Sequence, residues 1–124
     1  MKEKELPNIG MHNLQGCLVI TVQCEPDDQL LLDLQEKTLE IVKESLVKGV
    51  IIALSDVKII DASIFKSIDD IGKMLSLLGA RTIISGIRPE DAASLADYDC
   101  RASHTLTAVS VEHGYQLLQQ EGVL

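Results

Sequence analysis

The residues that could carry chemistry most directly lie at the start of a predicted helix. An apolar run ends at Asp61, and Ala62 and Ser63 follow it. An aspartate in this position accepts a hydrogen bond from a backbone N–H two or three residues later and stabilises the helix by roughly 1 kcal/mol. The Ser63 hydroxyl would hold a phosphate where the helix dipole stabilises negative charge, and Asp61 could orient a donor or a metal beside it. The residues alone favour the simple helix cap and leave a phosphate site open.

A second candidate is the segment from Ser85 to Pro89, which lies between a predicted strand and a predicted helix. Backbone N–H groups at such a junction can bind an anion. The segment lacks the glycine spacing of dinucleotide-binding and phosphate-binding loops, so a turn with Pro89 at the first helical position is favoured. We expect the Arg88 side chain to be available to a partner.

The other polar groups lack the spacing of a catalytic or metal site. Adjacent residues on a helix point in different directions, so Asp69 and Asp70 are predicted to lie on a solvated helix face. The acids at positions 25, 27 and 28 lack calcium-loop spacing and indicate a turn followed by a helix cap. No nucleophile elbow, metal-ligand spacing or Cys-x-x-Cys pair involves the histidines and cysteines, which are His12, His104, His113, Cys17, Cys24 and Cys100. We therefore expect no catalytic residue, no metal and no cofactor, and cysteines that behave as small hydrophobes.

Hydrophobic periodicity predicts the elements that must position these residues. Apolar and β-branched runs predict strands at 9–14, 17–24, 49–54, 81–86 and 104–109, the first two joined as a hairpin across Gln15 and Gly16. Apolar residues three and four apart predict helices from about 28 to Gly49, 61 to Gly79, 89 to 96, and from Ser110 onward. A hairpin followed by alternating helices and strands predicts an α/β fold, a mixed sheet with helices packed mainly on one face.

The composition limits both size and partners. The chain has 124 residues, a formal charge of -8 and 2% aromatic residues. We expect one domain over 1–124, with a core of about 8–121. The negative charge and the scarcity of rings for base stacking disfavour nucleic acid and anionic membranes as partners. No apolar run reaches the ~18 residues of a bilayer span, and the N-terminus lacks the apolar core of a signal peptide, so a cytoplasmic location is expected.

The element order and three segments together resemble the STAS domain family over nearly the whole chain. The segments are Ile-Ile-Asp-Ala-Ser at 59–63, Leu-Leu-Gly-Ala-Arg-Thr-Ile-Ile-Ser-Gly-Ile-Arg-Pro-Glu at 77–90, and the closing helix. Within the family, the Gly-Ile-Arg-Pro-Glu segment resembles that of stressosome scaffold proteins. A stand-alone domain of this length is similar to the RsbS type rather than the sensor-bearing RsbR type.

This resemblance implies a non-enzymatic regulator. Proteins of this kind assemble with sensor-bearing, RsbR-like STAS paralogues and bind an RsbT-like serine/threonine switch kinase. They release the kinase when their STAS domains are phosphorylated, which controls a stress response. The resemblance implies a kinase-contact surface of Asp61, Ala62 and Ser63, with Lys66 and Arg88 beside them. It also implies a homo- and hetero-oligomer, with no nucleic-acid or membrane partner.

The chain departs from the family at the residue after the aspartate. The family carries its phosphoacceptor there, commonly a serine, whereas this chain has Ala62, which cannot accept a phosphoryl group. Ser63 corresponds to a second serine often found in the family, but one step along a helix turns a side chain by about 100°. Ala62 is an engineered substitution, a divergence in which Ser63 became the acceptor, or the mark of a member that does not switch by phosphorylation.

Two other functions stay open at the level of sequence. Soluble antagonists with the same fold bind an anti-sigma factor kinase directly and would form a monomer or dimer rather than a large particle. A small-ligand-binding domain with a pocket between sheet and helices is the third alternative, and thermal stabilisation by a ligand would reveal it.

Overall fold

The computed structural model describes residues 6–96 and 105–124 of the chain. The strands are β1 (Ile9–Leu14), β2 (Cys17–Val22), β3 (Gly49–Ala53), β4 (Arg81–Ser85) and β5 (Thr105–Ala108). The helices are α1 (Asp28–Glu44), α2 (Ala62–Leu77), α3 (Pro89–Leu95) and α4 (Val111–Gln120). The predicted order of strands and helices is confirmed. Within these two ranges, none of the helices combines the length and the hydropathy that crossing a bilayer requires.

The five strands form one sheet in the order β1-β2-β3-β4-β5. β1 is antiparallel to β2, and the other neighbours are parallel. Parallel strands are almost always joined by right-handed crossovers. Each crossover leads to the next strand of the sheet in the same direction, so the three crossover helices α1, α2 and α3 lie on one face of the sheet. Helix α4 follows the last strand and packs on the opposite face. The predicted α/β class, with a mixed sheet that begins with a hairpin, is confirmed.

Each face of the sheet buries its own apolar cluster. Ile52 packs with Leu75 of α2 under the crossover helices, and Ile51 packs with Leu118 of α4 on the opposite face. Neighbouring residues of β3 therefore point into different clusters, which explains why this strand is apolar along its whole length. Cys17 belongs to the α4 cluster, and burial raises the pKa of its thiol to about 11, so it stays protonated near neutral pH.

Local turn and cap chemistry sets most element boundaries. Asp27, Asp61 and Ser110 each accept a hydrogen bond from the backbone N–H three residues later and so cap α1, α2 and α4. Gly79 follows α2 with a φ of 87°, the left-handed conformation that stops many helices. Each of these positions was predicted as a cap or a stop from the residue type.

Gly49 was predicted to end α1, and this prediction is wrong. The helix ends at Glu44 with Ser45 as its C-cap, and Gly49 is the first residue of β3. A Cβ at Gly49 would lie 2.9 Å from Cδ1 of Leu118. The glycine therefore makes room for α4 against the sheet.

Asp69 corrects the prediction of a solvated acidic face on α2. It is 3% exposed, and its Oδ1 accepts a hydrogen bond from Oγ1 of Thr105 at 3.1 Å. Asp70 is partly exposed, as expected for a solvated face. Burial extends to Asp69 because Gly72 brings α2 against β5: a Cβ there would lie 2.4 Å from Cγ2 of Thr105. The apolar stripe in the sequence marked only part of the buried face, since a carboxylate and a glycine occupy the rest.

Candidate functional site

The loops that follow β3 and β4 run side by side into the starts of α2 and α3. The N–H of Leu54 donates to the carbonyl of Ser85 at 2.9 Å and joins the two loops at their origin. Binding sites of open parallel sheets usually lie at this carboxyl end of the strands. The candidate residues Asp61 to Ser63 and Arg88 all lie there.

Asp61 is the N-cap of α2. Its backbone is extended, with φ -97° and ψ 176°, and its Oδ1 accepts a hydrogen bond from the N–H of Ile64 at 2.9 Å. Ala62 and Ser63 are the first two residues of the helix, and residues 61 to 63 are all exposed. The start of α2 thus presents a carboxylate, a methyl group and a hydroxyl to the solvent.

Arg88, which was expected to be available to a partner, is engaged within the chain. Its Nε and Nη2 donate to the two carboxylate oxygens of Asp91 at 2.7 and 3.2 Å. Its Nη2 also donates to the carbonyl of Lys58 at 2.8 Å. The guanidinium therefore fixes the loop that leads to Asp61.

A further anchor holds the same loop. The Glu25 carboxylate accepts a hydrogen bond from the N–H of Lys58. The next residue, Ile59, is 68% exposed. The backbone of Lys58 is thus held through both its N–H and its carbonyl, while the apolar side chain that follows it points to solvent.

Gly86 allows the two loops to approach each other closely. Its φ is 87°, and a Cβ there would lie 2.6 Å from the backbone N of Ser55. A side chain would collide with backbone, which cannot move aside as the end of a flexible side chain can. The glycine of the Gly-Ile-Arg-Pro-Glu segment therefore has a structural role next to that of Arg88.

Lys66 lies one turn into α2 from the exposed helix start. Its Nζ pairs with Oδ2 of Asp70 at 3.0 Å, and the two side chains are 65% and 47% exposed. Exposed ion pairs between helix residues four positions apart contribute only about 0.3–0.5 kcal/mol to the free energy of unfolding. Lys66 can therefore exchange this partner for a stronger one at small energetic cost.

Protein-family models give a match to the STAS domain over residues 8–110. The chain belongs to the STAS domain family. A comparison with curated proteins gives no significant match.

Solved structures with a similar fold include signalling STAS proteins. Moorella thermoacetica RsbS, in a form with a serine replaced by glutamate, is 22% identical with a TM-score of 0.76, and the match covers 94% of this chain and 98% of that one. A structure of the stressosome, described as a signal integration and transduction hub, is 20% identical with a TM-score of 0.71 and coverage of 93% and 100%. The anti-sigma factor antagonist SpoIIAA in its unphosphorylated form is 13% identical with a TM-score of 0.65 and coverage of 94% and 99%. At these identities the likeness establishes the fold.

The candidate site of this STAS domain is a surface. Among residues 6–96 and 105–124, no group of three or more His, Cys, Asp or Glu side chains is placed to hold a metal ion. A hollow of about 270 Å³ lies before β1 and beside the start of α1, lined in part by Leu6, Cys24 and Leu30, and none of its lining residues comes from α2. The positions of His104 and Cys100 lie outside the described residues.

Replacing Asp61 with alanine is expected to lower the free energy of unfolding of the STAS domain by about 1 kcal/mol, because the N–H of Ile64 loses its acceptor. Asp61→Asn is the matched control, since it keeps an oxygen in the capping position. Urea denaturation of the three proteins measures the difference. An Asp61→Ala variant as stable as the wild type contradicts the role of this carboxylate as a cap.

Loss of stability in acid is expected from the contact between Asp91 and Arg88. The side-chain hydrogen bond from Arg88, opposed by burial, holds the pKa of the Asp91 carboxyl below its usual value. The unfolded state therefore binds the proton more readily than the folded state, so the stabilisation is complete above the unfolded pKa of about 3.9. It is lost as the pH falls through the lower pKa of the folded state. In thermal melts, Asp91→Asn should reduce the dependence of the melting temperature on pH below about 4, and an unchanged slope contradicts the assignment.

Proposed function

We propose that this STAS domain is a non-enzymatic scaffold and antagonist in a stressosome-like partner-switching complex that controls a stress response in the cytoplasm. It binds an RsbT-like serine/threonine switch kinase through Asp61, Ala62 and Ser63, with Lys66 beside them. It assembles with a sensor-bearing, RsbR-like STAS paralogue. The observation that carries the proposal is the exposed start of α2, at the position where the STAS resemblance implies phosphorylation.

The anchored loop before α2 supports a role in binding. Binding is weakened when loops must be ordered on association, and a loop that is already fixed avoids this loss. Arg88 and Glu25 hold the carbonyl and the N–H of Lys58 by hydrogen bonds before any partner is present. Arg88 therefore contributes to the surface by positioning it.

The absence of a hydroxyl at Ala62 defines how the switch would work in this chain. Ser63 is the one hydroxyl among the first three helical residues, 62 to 64. A phosphate on it would add a dianion beside the carboxylate of Asp61, and like charges at an interface disrupt binding. We propose that the unmodified chain captures the kinase. Release of the kinase then depends on a phosphate, added either to Ser63 of this chain or to a STAS partner in the same complex.

Phosphopeptide mapping by mass spectrometry tests the proposal, after incubation with ATP and the switch kinase encoded in the same genome. The wild type is expected to capture the kinase, and Ala62→Ser is expected to gain phosphate at position 62, from an undetectable level to a large fraction of the chains. Ser63→Ala is the matched control that assigns any phosphate in the wild type. Phosphate on Ser63 indicates an acceptor moved by one residue, and stable capture without phosphate indicates a constitutive trap. A kinase that neither binds the wild type nor modifies Ala62→Ser contradicts the proposal.

A direct anti-sigma factor antagonist is the second candidate, favoured by the fold shared with SpoIIAA. Assembly size separates the two functions. A scaffold forms particles far larger than a dimer when mixed with its paralogue, whereas a direct antagonist stays a monomer or dimer. Analytical ultracentrifugation of the mixture measures this difference.

A further inference from the structure

The hollow of about 270 Å³ beside the start of α1 has walls from two segments of the chain. One wall is formed by residues Leu6 to Ile9, and the other by the first turns of α1. The first wall is held in place, because the N–H of Gln23, directly after β2, donates to the carbonyl of Asn8 at 2.8 Å. Small-molecule sites are concave and largely pre-formed, and those of drug-sized ligands begin at about 300 Å³. The hollow therefore suits a ligand at the small end of this range.

A leucine lies between two carboxylates on the side of α1 that lines the hollow. Asp27, Leu30 and Asp33 all line it. Each is three positions from the next, and residues three apart are neighbours on a helix surface. With a rise of about 1.5 Å per residue, the positions of Asp27 and Asp33 are about 9 Å apart along the helix axis. Leu6 and Ile9 add apolar surface from the opposite wall. The hollow thus offers two separate negative groups with apolar surface between them.

Each of these two carboxylates has one oxygen that is already bonded and one that is not. Oδ1 of Asp27 accepts a hydrogen bond from the N–H of Leu30 at 2.8 Å, and Oδ1 of Asp33 accepts one from Nε2 of Gln29 at 2.9 Å. Within residues 6–96 and 105–124, neither Oδ2 has a hydrogen-bond or ion-pair partner, and no lysine, arginine or histidine lines the hollow. The described lining therefore carries negative charge that it does not balance itself.

A single metal ion does not fit this arrangement. Glu25 also lines the hollow, yet no three His, Cys, Asp or Glu side chains of the described ranges are placed to hold one ion. Carboxylates that are too far apart to share an ion can still form one charge-assisted hydrogen bond each. The apolar surface between them would contact methylene groups, whose burial is favourable. The chemistry of the hollow therefore fits an extended cation with a charge at each end.

We infer that the hollow binds a straight-chain aliphatic diamine. One ammonium group would bind at Asp27 and the other at Asp33, and the methylene chain would lie along Leu30. Primary amines of this kind are protonated at neutral pH, as lysine is. The formal charge of -8 on the whole chain attracts such a dication from a distance. This inference goes beyond the proposed function, because it requires no kinase and no phosphate.

Glu25 connects the hollow to the loop before α2. Its side chain lines the hollow, and its carboxylate also accepts a hydrogen bond from the N–H of Lys58. An ammonium group at Asp27, two residues further on, would attract the Glu25 carboxylate as well. We therefore expect the amide of Lys58 to respond when the hollow is filled, although Lys58 does not line it. An amide of Lys58 that is unchanged by the bound ligand contradicts this connection.

Titration of the full-length chain with cadaverine, a straight-chain diamine, tests the inference by amide NMR spectra at constant ionic strength. Asp27→Asn and Asp33→Asn each remove one negative charge and keep an oxygen for the bonds from Leu30 and Gln29. Glu112→Gln is the matched control, because this exposed acid lies in the first turn of α4, on the other face of the sheet. Pentylamine, with one ammonium group, and pentanediol, with none, are the control ligands. Thermal melts verify that the variants fold.

Cadaverine is expected to cause saturable shifts that are largest for amides lining the hollow, such as those of Asn8 and Leu30. Asp27→Asn and Asp33→Asn should each raise the dissociation constant about tenfold, whereas Glu112→Gln should leave it unchanged. Pentylamine should bind about tenfold more weakly than cadaverine, and pentanediol should cause no saturable shift.

Three results would overturn the inference. The first is a set of shifts that does not saturate or that is spread over acidic residues on all faces of the domain. The second is equal affinity for cadaverine and for pentylamine, which resembles a single lysine side chain. The third is unchanged affinity in either Asp27→Asn or Asp33→Asn. None of these outcomes bears on kinase capture, which is measured separately.

Discussion

Gly86→Ala is expected to lower the free energy of unfolding by roughly 2–4 kcal/mol. The φ of 87° is unfavourable for any residue with a Cβ, and the new methyl group would lie 2.6 Å from the backbone N of Ser55. Neither the unfavourable φ nor the close contact can be relieved by a local shift of Ser55. Ser55 follows Leu54, whose N–H donates a hydrogen bond to a backbone carbonyl of β4. The two loops would have to separate, and the position of the segment before Asp61 would change with them.

Gly79→Ala is the matched control for this prediction. Gly79 has the same φ of 87°, but a Cβ there would meet nothing within 4 Å. Its replacement therefore reports the backbone strain alone, about 1 kcal/mol. Urea denaturation of both variants isolates the contribution of the close approach. Equal losses at Gly79 and Gly86 contradict the contact with Ser55.

Hydrogen exchange separates a local effect of Gly86→Ala from a general one. If the glycine positions the loop before α2, amides of residues 54–61 should exchange faster by a larger factor than amides in β3. Uniformly faster exchange would show that the substitution destabilises the whole domain without a special effect on the site. The measurement also connects the Gly-Ile-Arg-Pro-Glu segment to the start of α2 without any kinase.

The sequence predicted the features that depend on short-range interactions. The Asp61 cap involves residues three apart, and the turn at Gln15 and Gly16 needs only positive φ at two adjacent residues, observed as 50° and 86°. Strand and helix order followed for the same reason, since periodicity acts within each element. These effects depend on residues that are only a few positions apart in the chain. They can therefore be recognised in a single sequence without knowledge of the tertiary contacts.

The sequence could not predict contacts that form only when distant loops meet. Arg88 bonds to the carbonyl of Lys58, thirty residues earlier in the chain. Periodicity describes side-chain positions within an element and carries no information about which backbone carbonyl a guanidinium will reach. The Arg88 side chain was therefore expected to be available, although it holds the loop that leads to Asp61.

The buried face of α2 lies between these two cases. Gly72 within a helical pattern is a signal of close packing, because glycine lowers helix propensity and is retained in a helix interior when another element approaches. Asp69 lies three residues earlier and so shares the face of Gly72. An interpretation that took Gly72 as a sign of close packing would have predicted that the Asp69 carboxylate is buried. Apolar periodicity alone did not predict this burial.

Gly72→Ala is expected to destabilise the domain by about 1–3 kcal/mol through overpacking, although alanine has the higher intrinsic helix propensity by about 1 kcal/mol. The added Cβ would lie 2.4 Å from Cγ2 of Thr105 and 3.4 Å from Cβ of Thr82. α2 would have to move away from β4 and β5. The sign of the effect is therefore opposite to that of the same substitution on an exposed helix.

Thr105→Ser completes a double-mutant cycle for this contact. It removes the Cγ2 methyl group and keeps the hydroxyl that donates to Asp69 at 3.1 Å. In the Thr105→Ser background, Gly72→Ala should cost less by about 1 kcal/mol or more, since residues in direct contact couple by about 0.5–3 kcal/mol. Equal losses in both backgrounds contradict the contact as the cause.

Because Asp61 and Gly72 belong to one helix, a shift of α2 away from β5 would also move the surface at its start. A kinase that loses affinity for Gly72→Ala and regains it in the double variant would show that the packing of α2 on β5 positions this surface.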